Sequence, residues 1–234
     1  MAAKNDQHTE IELKLEGSPE AFDRIRGDLA QQLFTPATDD RDWRVQTYYD
    51  TRDLDLFAVN LELRVRPAGS GYRQTLKYLL DLSDTGVFTR DEIQVNQDSE
   101  LPTLKTLKKY LPKHVTSKGG TPLHPLIRTE FKRTRFVVQV GVSQIEVALD
   151  DGHVVYIGRD AELVRPFHMM ELEVKTGEAK DIVSLSRILQ DRYTLTPMFL
   201  SKPEQAVQLA YEAGELDGTP AFKTVASKLK DRLR

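Results

Sequence analysis

Hydrophobic and polar side chains alternate residue by residue over 9–17, TEIELKLEG. Ile11, Leu13 and Leu15 fall on one side, and Glu10, Glu12 and Lys14 on the other. A period of two is the mark of a β-strand, whose successive side chains point to opposite faces. The pattern recurs along the chain. LELRVRP (61–67) sets Glu62, Arg64 and Arg66 against Leu61, Leu63 and Val65, and YRQTLKY (72–78) aligns Arg73, Thr75 and Lys77. VFTRDEIQV (87–95) aligns Arg90, Glu92 and Gln94, and KRTRFVVQV (132–140) aligns Arg133 and Arg135. QIEVALDDG (144–152) pairs Glu146 with Asp150, and MMELEVKTG (169–177) sets Glu171, Glu173 and Lys175 against Leu172 and Val174. Turn signals separate the runs: PAGSGY at 67–72, DDGH at 150–153 and the region of Gly177. These features predict an antiparallel, strand-dominated fold.

Helical spacing is confined to a few segments. Residues 18–34 open with Ser18, Pro19 and Glu20 and carry Phe22, Ile25, Leu29 and Leu33 at helical intervals. Ile182, Leu185 and Leu189 predict an amphipathic helix over 178–192, and Pro203 opens another over 202–213. Between the strands, 99–127 reads as a short helix at 103–111 followed by a Pro/Gly-rich connector. The basic end 213–234 reads as a tail, helical or frayed. No linker divides the chain, so 1–212 is expected to form one domain, with 97–127 as an insert.

The charged faces are not the mixed polar surface of an ordinary wet sheet. They carry Glu-x-Glu twice and Arg-x-Arg twice, and adjacent like charges on one strand face repel. Paired carboxylates suit a hard divalent cation. Paired arginines suit a polyanion that offers bidentate oxygens, such as phosphate. If the sheet closes into a barrel of about eight strands, the charges line a bore wide enough for side chains and one small ligand. The apolar faces then point outward, under the three amphipathic helices.

Bulk composition narrows the classes. The 234 residues are 39% hydrophobic and 29% charged, as in a globular protein. The net charge of −3 argues against a nucleic-acid partner. The absence of cysteine excludes disulfides and thiolate metal sites and fits a cytoplasmic location. Five histidines with no close pair argue against a His-based zinc site. MAAKNDQH at 1–8 lacks the apolar core of a signal peptide, and no run is long enough to span a membrane. Tyr48, Tyr49, Asp50, Trp43 and His168 read as structural, with Trp43 packed inside, and Lys175 as a solvated residue at the barrel mouth.

The order and spacing of EIELK (10–14), YYDT (48–51), LRVR (63–66), QTLK (74–77), GVFTRDEIQV (86–95), SQIEVALDDG (143–152), ELEVK (171–175) and LSKPEQAVQLA (200–210) resemble the CYTH domain, the triphosphate tunnel metalloenzymes. The similarity covers roughly 8–212 and is greatest to the bacterial inorganic triphosphatases. It implies an α+β fold built on a tunnel of eight antiparallel strands, and cleavage of the terminal phosphate of a linear triphosphate with Mg²⁺ or Mn²⁺. By resemblance, Glu10, Glu12, Glu171 and Glu173 match the metal ligands, and Asp150 or its neighbour Asp151 completes the set. Lys14, Arg64, Arg66, Lys77, Arg133, Arg135 and Lys202 match phosphate-binding positions, and Glu92 and Glu146 match acidic positions of the tunnel wall. The chain departs from the family at Phe136, where Trp is common, and at SKPEQA, which lacks a further basic residue. The same resemblance admits thiamine- or nucleoside-triphosphatase activity, a class IV adenylate cyclase or a polyphosphate-binding module. It leaves the chain a monomer or homodimer.

Overall fold

The computed structural model describes residues 6–31, 36–38, 43–117 and 119–233. In chain order the elements are β1 (Asp6–Glu16), α1 (Pro19–Gln31), β2 (Pro36–Thr38), β3 (Trp43–Asp50), α2 (Asp55–Ala58), β4 (Leu61–Ala68), β5 (Gly71–Leu82) and β6 (Val87–Gln97). There follow α3 (Lys113–Thr116), β7 (His124–Val140), β8 (Ser143–Ile157), β9 (Glu162–Thr176), α4 (Ala179–Tyr193), β10 (Thr196–Pro197), α5 (Lys202–Glu212) and α6 (Ala221–Arg232). Eight strands hydrogen-bond in the order β1-β6-β5-β4-β3-β7-β8-β9, and β9 pairs back onto β1 to close an antiparallel barrel. The short β2 and β10 pair outside this ring. Closure removes the open edges that a sheet of this length would otherwise present.

Strand alternation decides what lies on each side. Leu13, Leu15, Ile145, Val147, Leu149, Met170 and Leu172 face outward and form a core with Phe22, Ile25 and Leu29 of α1 and Ile182 and Leu189 of α4. On another flank, Leu61, Leu63, Val65, Leu76 and Ile93 pack against Leu107, Leu111 and Val115. The segment around Leu107 is not the helix predicted for 103–111. Pro102 and Pro112 bracket it, and it folds into a single 3₁₀ turn at Leu104–Thr106. A stretch this short between two helix breakers is below the length at which helices propagate, so Leu107 and Leu111 anchor it instead.

The third predicted cover, α5, does something different from α1 and α4. Along β8 the face that carries Asp150 continues to Val154 and Tyr156, and along β9 the face of Glu171 runs back to Met169 and Phe167. These apolar residues cluster with Phe131 and with Ala206, Val207 and Ala210 of α5. The lumen face thus changes from charged to apolar along its length, and α5 stoppers the barrel at the apolar end. A capping box fixes the start of α5: Ser201 Oγ accepts from Glu204 N–H, and the Glu204 carboxylate accepts from Ser201 N–H at 2.7 Å. The basic C-terminal segment is not frayed, since α6 buries Val225 and Leu229 in the same cluster.

The expected turn at 150–153 is absent, because β8 runs straight through it. Gly152 is there for close approach. A Cβ at this position would collide with the Glu130 carbonyl and lie 2.5 Å from Phe131 Cβ on β7. The turn at 67–72 does form, with Gly69 at a φ of +58° between β4 and β5. Trp43, expected inside, is 50% exposed at the start of β3, with its ring against His153.

Candidate active site

The charged faces converge on a cavity of about 280 Å³. Twelve of the fourteen site residues read from the sequence line it: Glu10, Glu12, Lys14, Arg64, Arg66, Lys77, Glu92, Arg133, Arg135, Glu171, Glu173 and Lys202. Asp150 and Glu146 stand behind this lining. The register explains the convergence. On the β1–β9 seam Glu12 lies directly opposite Glu173 and Lys14 opposite Glu171. Lys77 lies opposite both Glu62 and Glu92, and Arg133 lies opposite Asp150.

Near the stoppered end Arg133 and Lys202 share two carboxylates. Arg133 donates to both oxygens of Asp150, at 2.6 and 2.5 Å, and also to Glu171. Lys202 Nζ lies 2.8 Å from Asp150 and also bonds Glu171. Asp150 is fully buried. It is not among the residues that line the cavity, and it holds the two cations from behind. Its neighbour Asp151 faces the barrel exterior, paired with His168 Nδ1 at 2.6 Å and with Arg26. Of the two aspartates, Asp150 is therefore the one joined to the site. Burial works against the charge on Glu171, but Lys202 and Arg133 outweigh it and hold its carboxyl well below the usual range. Burial likewise opposes the Arg133 charge, and Asp150 and Glu171 more than restore it.

Further along, Lys14 Nζ donates to Glu12 at 2.6 Å and lies 3.9 Å from the centre of the Phe88 ring. Arg90 approaches Glu12 at 3.3 Å and Glu62 at 3.5 Å. Burial pushes Glu12 up, yet Lys14 and Arg90 bring its pKa down to about 2. Glu10 is placed differently. Burial raises its pKa to about 7 despite Lys77, with Glu12 and Glu92 adding repulsion. The Lys77 ammonium at 2.5 Å only partly offsets that burial. His8, Glu10 and Glu92 place three donor atoms within 4.8 Å of one another. The other carboxylates of the lumen are oxygen donors suited to a hard divalent ion, each held in place by a neighbouring Lys or Arg.

Toward the mouth the balance turns positive. Arg64 bonds Gln46 at 3.0 Å. Burial and the neighbouring Arg64, Arg73 and Arg44 bring the Arg66 pKa down to about 10, the signature of a guanidinium crowded by like charge. Arg135 lies 3.8 Å from Glu146, and Lys175 is 2.7 Å from Glu173. Among the described lining residues there are ten Lys or Arg and six Glu, an excess that a polyanion would neutralise.

Sequence reasoning left Arg90, Glu62, Arg44, Gln46, Lys175 and His8 without a role, yet all six line the cavity. The signal for them was present. Each shares strand parity with an assigned residue: Arg90 with Glu92, Glu62 with Arg64, His8 with Glu10, and Lys175 with Glu173. Arg44 and Gln46 extend the alternation back from Tyr48.

Fold and site define a closed β-barrel protein that turns its charges inward and its apolar faces toward helices. The CYTH domain matches residues 8–199, and the chain belongs to that family. It is 30% identical to an inorganic triphosphatase of Haemophilus influenzae over 174 residues, 74% of this chain and 47% of that protein. The chain thus spans about half the length of this relative. Its fold is similar to a Bacillus halodurans protein with a provisional adenylate-cyclase assignment, at a TM-score of 0.57 and 16% identity over 85% of this chain and 97% of that one. It is also similar to a Hippeastrum protein, provisionally an adenylyl cyclase with a dominant triphosphatase activity. That match has a TM-score of 0.53 and 19% identity over 85% and 95% of the two chains.

Proposed function

We propose that this chain is a metal-dependent triphosphatase that releases the terminal phosphate of a linear triphosphate, with inorganic tripolyphosphate as the substrate and Mg²⁺ or Mn²⁺ as the cofactor. The observation that carries the reading is the lumen itself. A cavity of about 280 Å³ brings an excess of Arg and Lys together with paired glutamates and offers little apolar surface beyond Tyr48, Phe131 and Pro203. A purine or thiazole would find little to stack on there, whereas a bare phosphate chain finds donors on every wall. The similarity to an inorganic triphosphatase points the same way.

The residues divide the work. Arg64, Arg66, Arg133 and Arg135 grip non-bridging oxygens, where planar guanidinium groups bind phosphate in pairs of hydrogen bonds. Lys14, Lys77 and Lys202 add point charges that offset the charge building on the leaving phosphate. Asp150 and Glu171 keep Arg133 and Lys202 pre-aimed, so that little reorganisation is needed on binding. Glu10, Glu12 and Glu173 would hold the divalent ion, with Glu171 at the edge of that set. The ion, when bound, supplies Lewis-acid neutralisation of phosphate oxygens. A lumen carboxylate orients the attacking water, and Glu173, 25% exposed in its side chain, is the accessible one.

The test is Glu10→Ala assayed with tripolyphosphate and Mg²⁺; near-normal turnover would sink the proposal. A panel of tripolyphosphate, thiamine triphosphate and ATP, scored for orthophosphate against pyrophosphate, separates this reading from a cyclase. Tight binding without turnover of any of the three would instead identify a polyphosphate-binding module.

A further inference from the structure

A second cavity, of about 750 Å³, opens beside the stoppered end of the barrel and shares no lining residue with the lumen. Its size falls within the range of about 300–1,000 Å³ common to small-molecule sites. It is formed by the β9 run 165–169, by the segment 196–200 that leads into α5, and by Gln205, Gln208 and Arg232 of α5 and α6. Phe167, Met169, Met198 and Phe199 supply aromatic and thioether surface, which packs well against a flat ring. Gln205 lines the same cavity at 5% exposure, and its Nε2 has no hydrogen-bond partner among the described residues.

We infer that this cavity is a second ligand site, for a small organic anion with an aromatic body and a hydrogen-bond acceptor at the end remote from its charge. Two observations carry the inference. The first is the Gln205 amide. A buried donor without a partner forfeits the hydrogen bonds it would make in water, so its retention on a cavity wall marks where an acceptor belongs. The second is the charge. The charged residues of the lining are Arg165, Arg232 and Glu16, besides His168. Arg165 donates to Gln208 at 3.3 Å and to Glu212, and Arg232 lies 3.6 Å from Glu204. A guanidinium carries five N–H donors, so both arginines have donors left for an anion, and neither Glu204 nor Glu212 lines the cavity. The Arg165 side chain is 30% exposed against 5% for Gln205, which sets the anion toward solvent and the acceptor inward. A bare phosphate chain would leave the aromatic and thioether surface unmatched. A neutral hydrocarbon would leave the guanidinium groups and the amide unmatched.

The test reads binding rather than turnover, so failure of this site and failure of the hydrolase reading are distinguishable. The probe is an acetylnaphthoate whose ketone and carboxylate lie at opposite ends of a flat bicyclic ring. It is titrated into the full chain with isotope-labelled methionine methyl groups, followed by nuclear magnetic resonance. Met169 and Met198 line the cavity, while Met170 packs on the other face of β9 with Leu13 and Leu172 and serves as the internal reference. The probe should shift the Met169 and Met198 signals saturably and leave Met170 in place. Plain naphthoate, without the ketone, should bind several-fold more weakly. Acetylnaphthalene, without the carboxylate, should bind at least about tenfold more weakly, as expected for loss of a charged hydrogen bond. Gln205→Leu should erase the advantage of acetylnaphthoate over naphthoate, and Arg165→Gln should weaken both by about tenfold. Arg66→Ala, in the lumen, should leave the Kd of the probe unchanged. Absence of a saturable shift at Met169 and Met198, equal affinity for the three compounds, or weaker binding in Arg66→Ala would overturn the site. An advantage of acetylnaphthoate that survives Gln205→Leu would overturn the role of the amide. The ranking of the three compounds on wild type tests the site even if that variant does not fold.

Discussion

Asp150→Asn tests the reading of Asp150 as the anchor behind the site. The substitution preserves shape and removes one negative charge from a fully buried position. Asp150 accepts two hydrogen bonds from Arg133 and lies 2.8 Å from Lys202. Breaking a buried ion pair by removing one partner costs about 3–5 kcal/mol. Glu171 still contacts both cations, so the low end, about 3 kcal/mol, is expected. For a chain of this size each kcal/mol moves Tm by about 2–4 °C, giving a fall of about 6–12 °C. A total stability of about 5–15 kcal/mol leaves such a variant folded. Thermal denaturation followed by circular dichroism, with and without tripolyphosphate, reads the effect. The gap should narrow with the polyanion present, because phosphate oxygens take over the two cations and stabilise the folded state by binding. Turnover should fall as Arg133 loses its aim. A Tm within about 2 °C of wild type would refute the idea that Asp150 carries this network.

Three other outcomes follow from the same geometry. Arg66→Ala should raise the Tm of the ligand-free protein, since it relieves crowding among Arg44, Arg64 and Arg73. The same variant should raise KM for tripolyphosphate roughly tenfold or more, the loss of a charged hydrogen bond worth about 1.5–3 kcal/mol, and a fall in Tm would contradict the crowding. The pKa of Glu10 near 7 in the fold, above its ordinary 4.5, means that the folded state holds this proton more tightly than the unfolded chain. The stability linked to this group is therefore complete below the ordinary value and is lost as pH rises through about 7. Urea unfolding of metal-free protein at about pH 5 and about pH 8 should show a smaller pH-dependent loss in Glu10→Gln than in wild type, and identical losses would reject the shift. Gly152→Ala should sharply lower Tm or soluble yield by forcing β7 and β8 apart, and a wild-type melting curve would show that the approach at Glu130 and Phe131 can relax.

How much of this was legible in the chain depends on the range of the interaction. Strand alternation is local, so the residues that share a face, and hence eleven of the cavity-lining residues, could be read directly from a period of two, whereas Lys202 at the start of α5 was reached through the family resemblance. The helix predicted over 202–213 from Pro203 forms as Lys202–Glu212, because the start of a helix is settled within one turn. The short run between Pro102 and Pro112 misled, since its apolar spacing is helical but its length cannot sustain a helix. Gly152 misled for the converse reason: glycine signals a turn locally, while here it answers to a neighbouring strand far away in sequence.

The sequence by itself determined which side chains share a face and that the shared faces carry paired like charges, for these follow from backbone geometry and side-chain chemistry alone. Only the tertiary structure decided the rest. The pairing of β9 back onto β1 turns the charged face inward, and no local signal encodes that closure. The switch from Asp150 to Val154 and Tyr156 along one face acquires its meaning only when α5 arrives to cover it. Whether a carboxylate meets the cavity, as Glu10 does, or stands behind an arginine, as Asp150 does, depends on register between strands distant in sequence. Register is set by the summed packing and hydrogen bonding of the whole barrel, and no single stretch of the chain contains it.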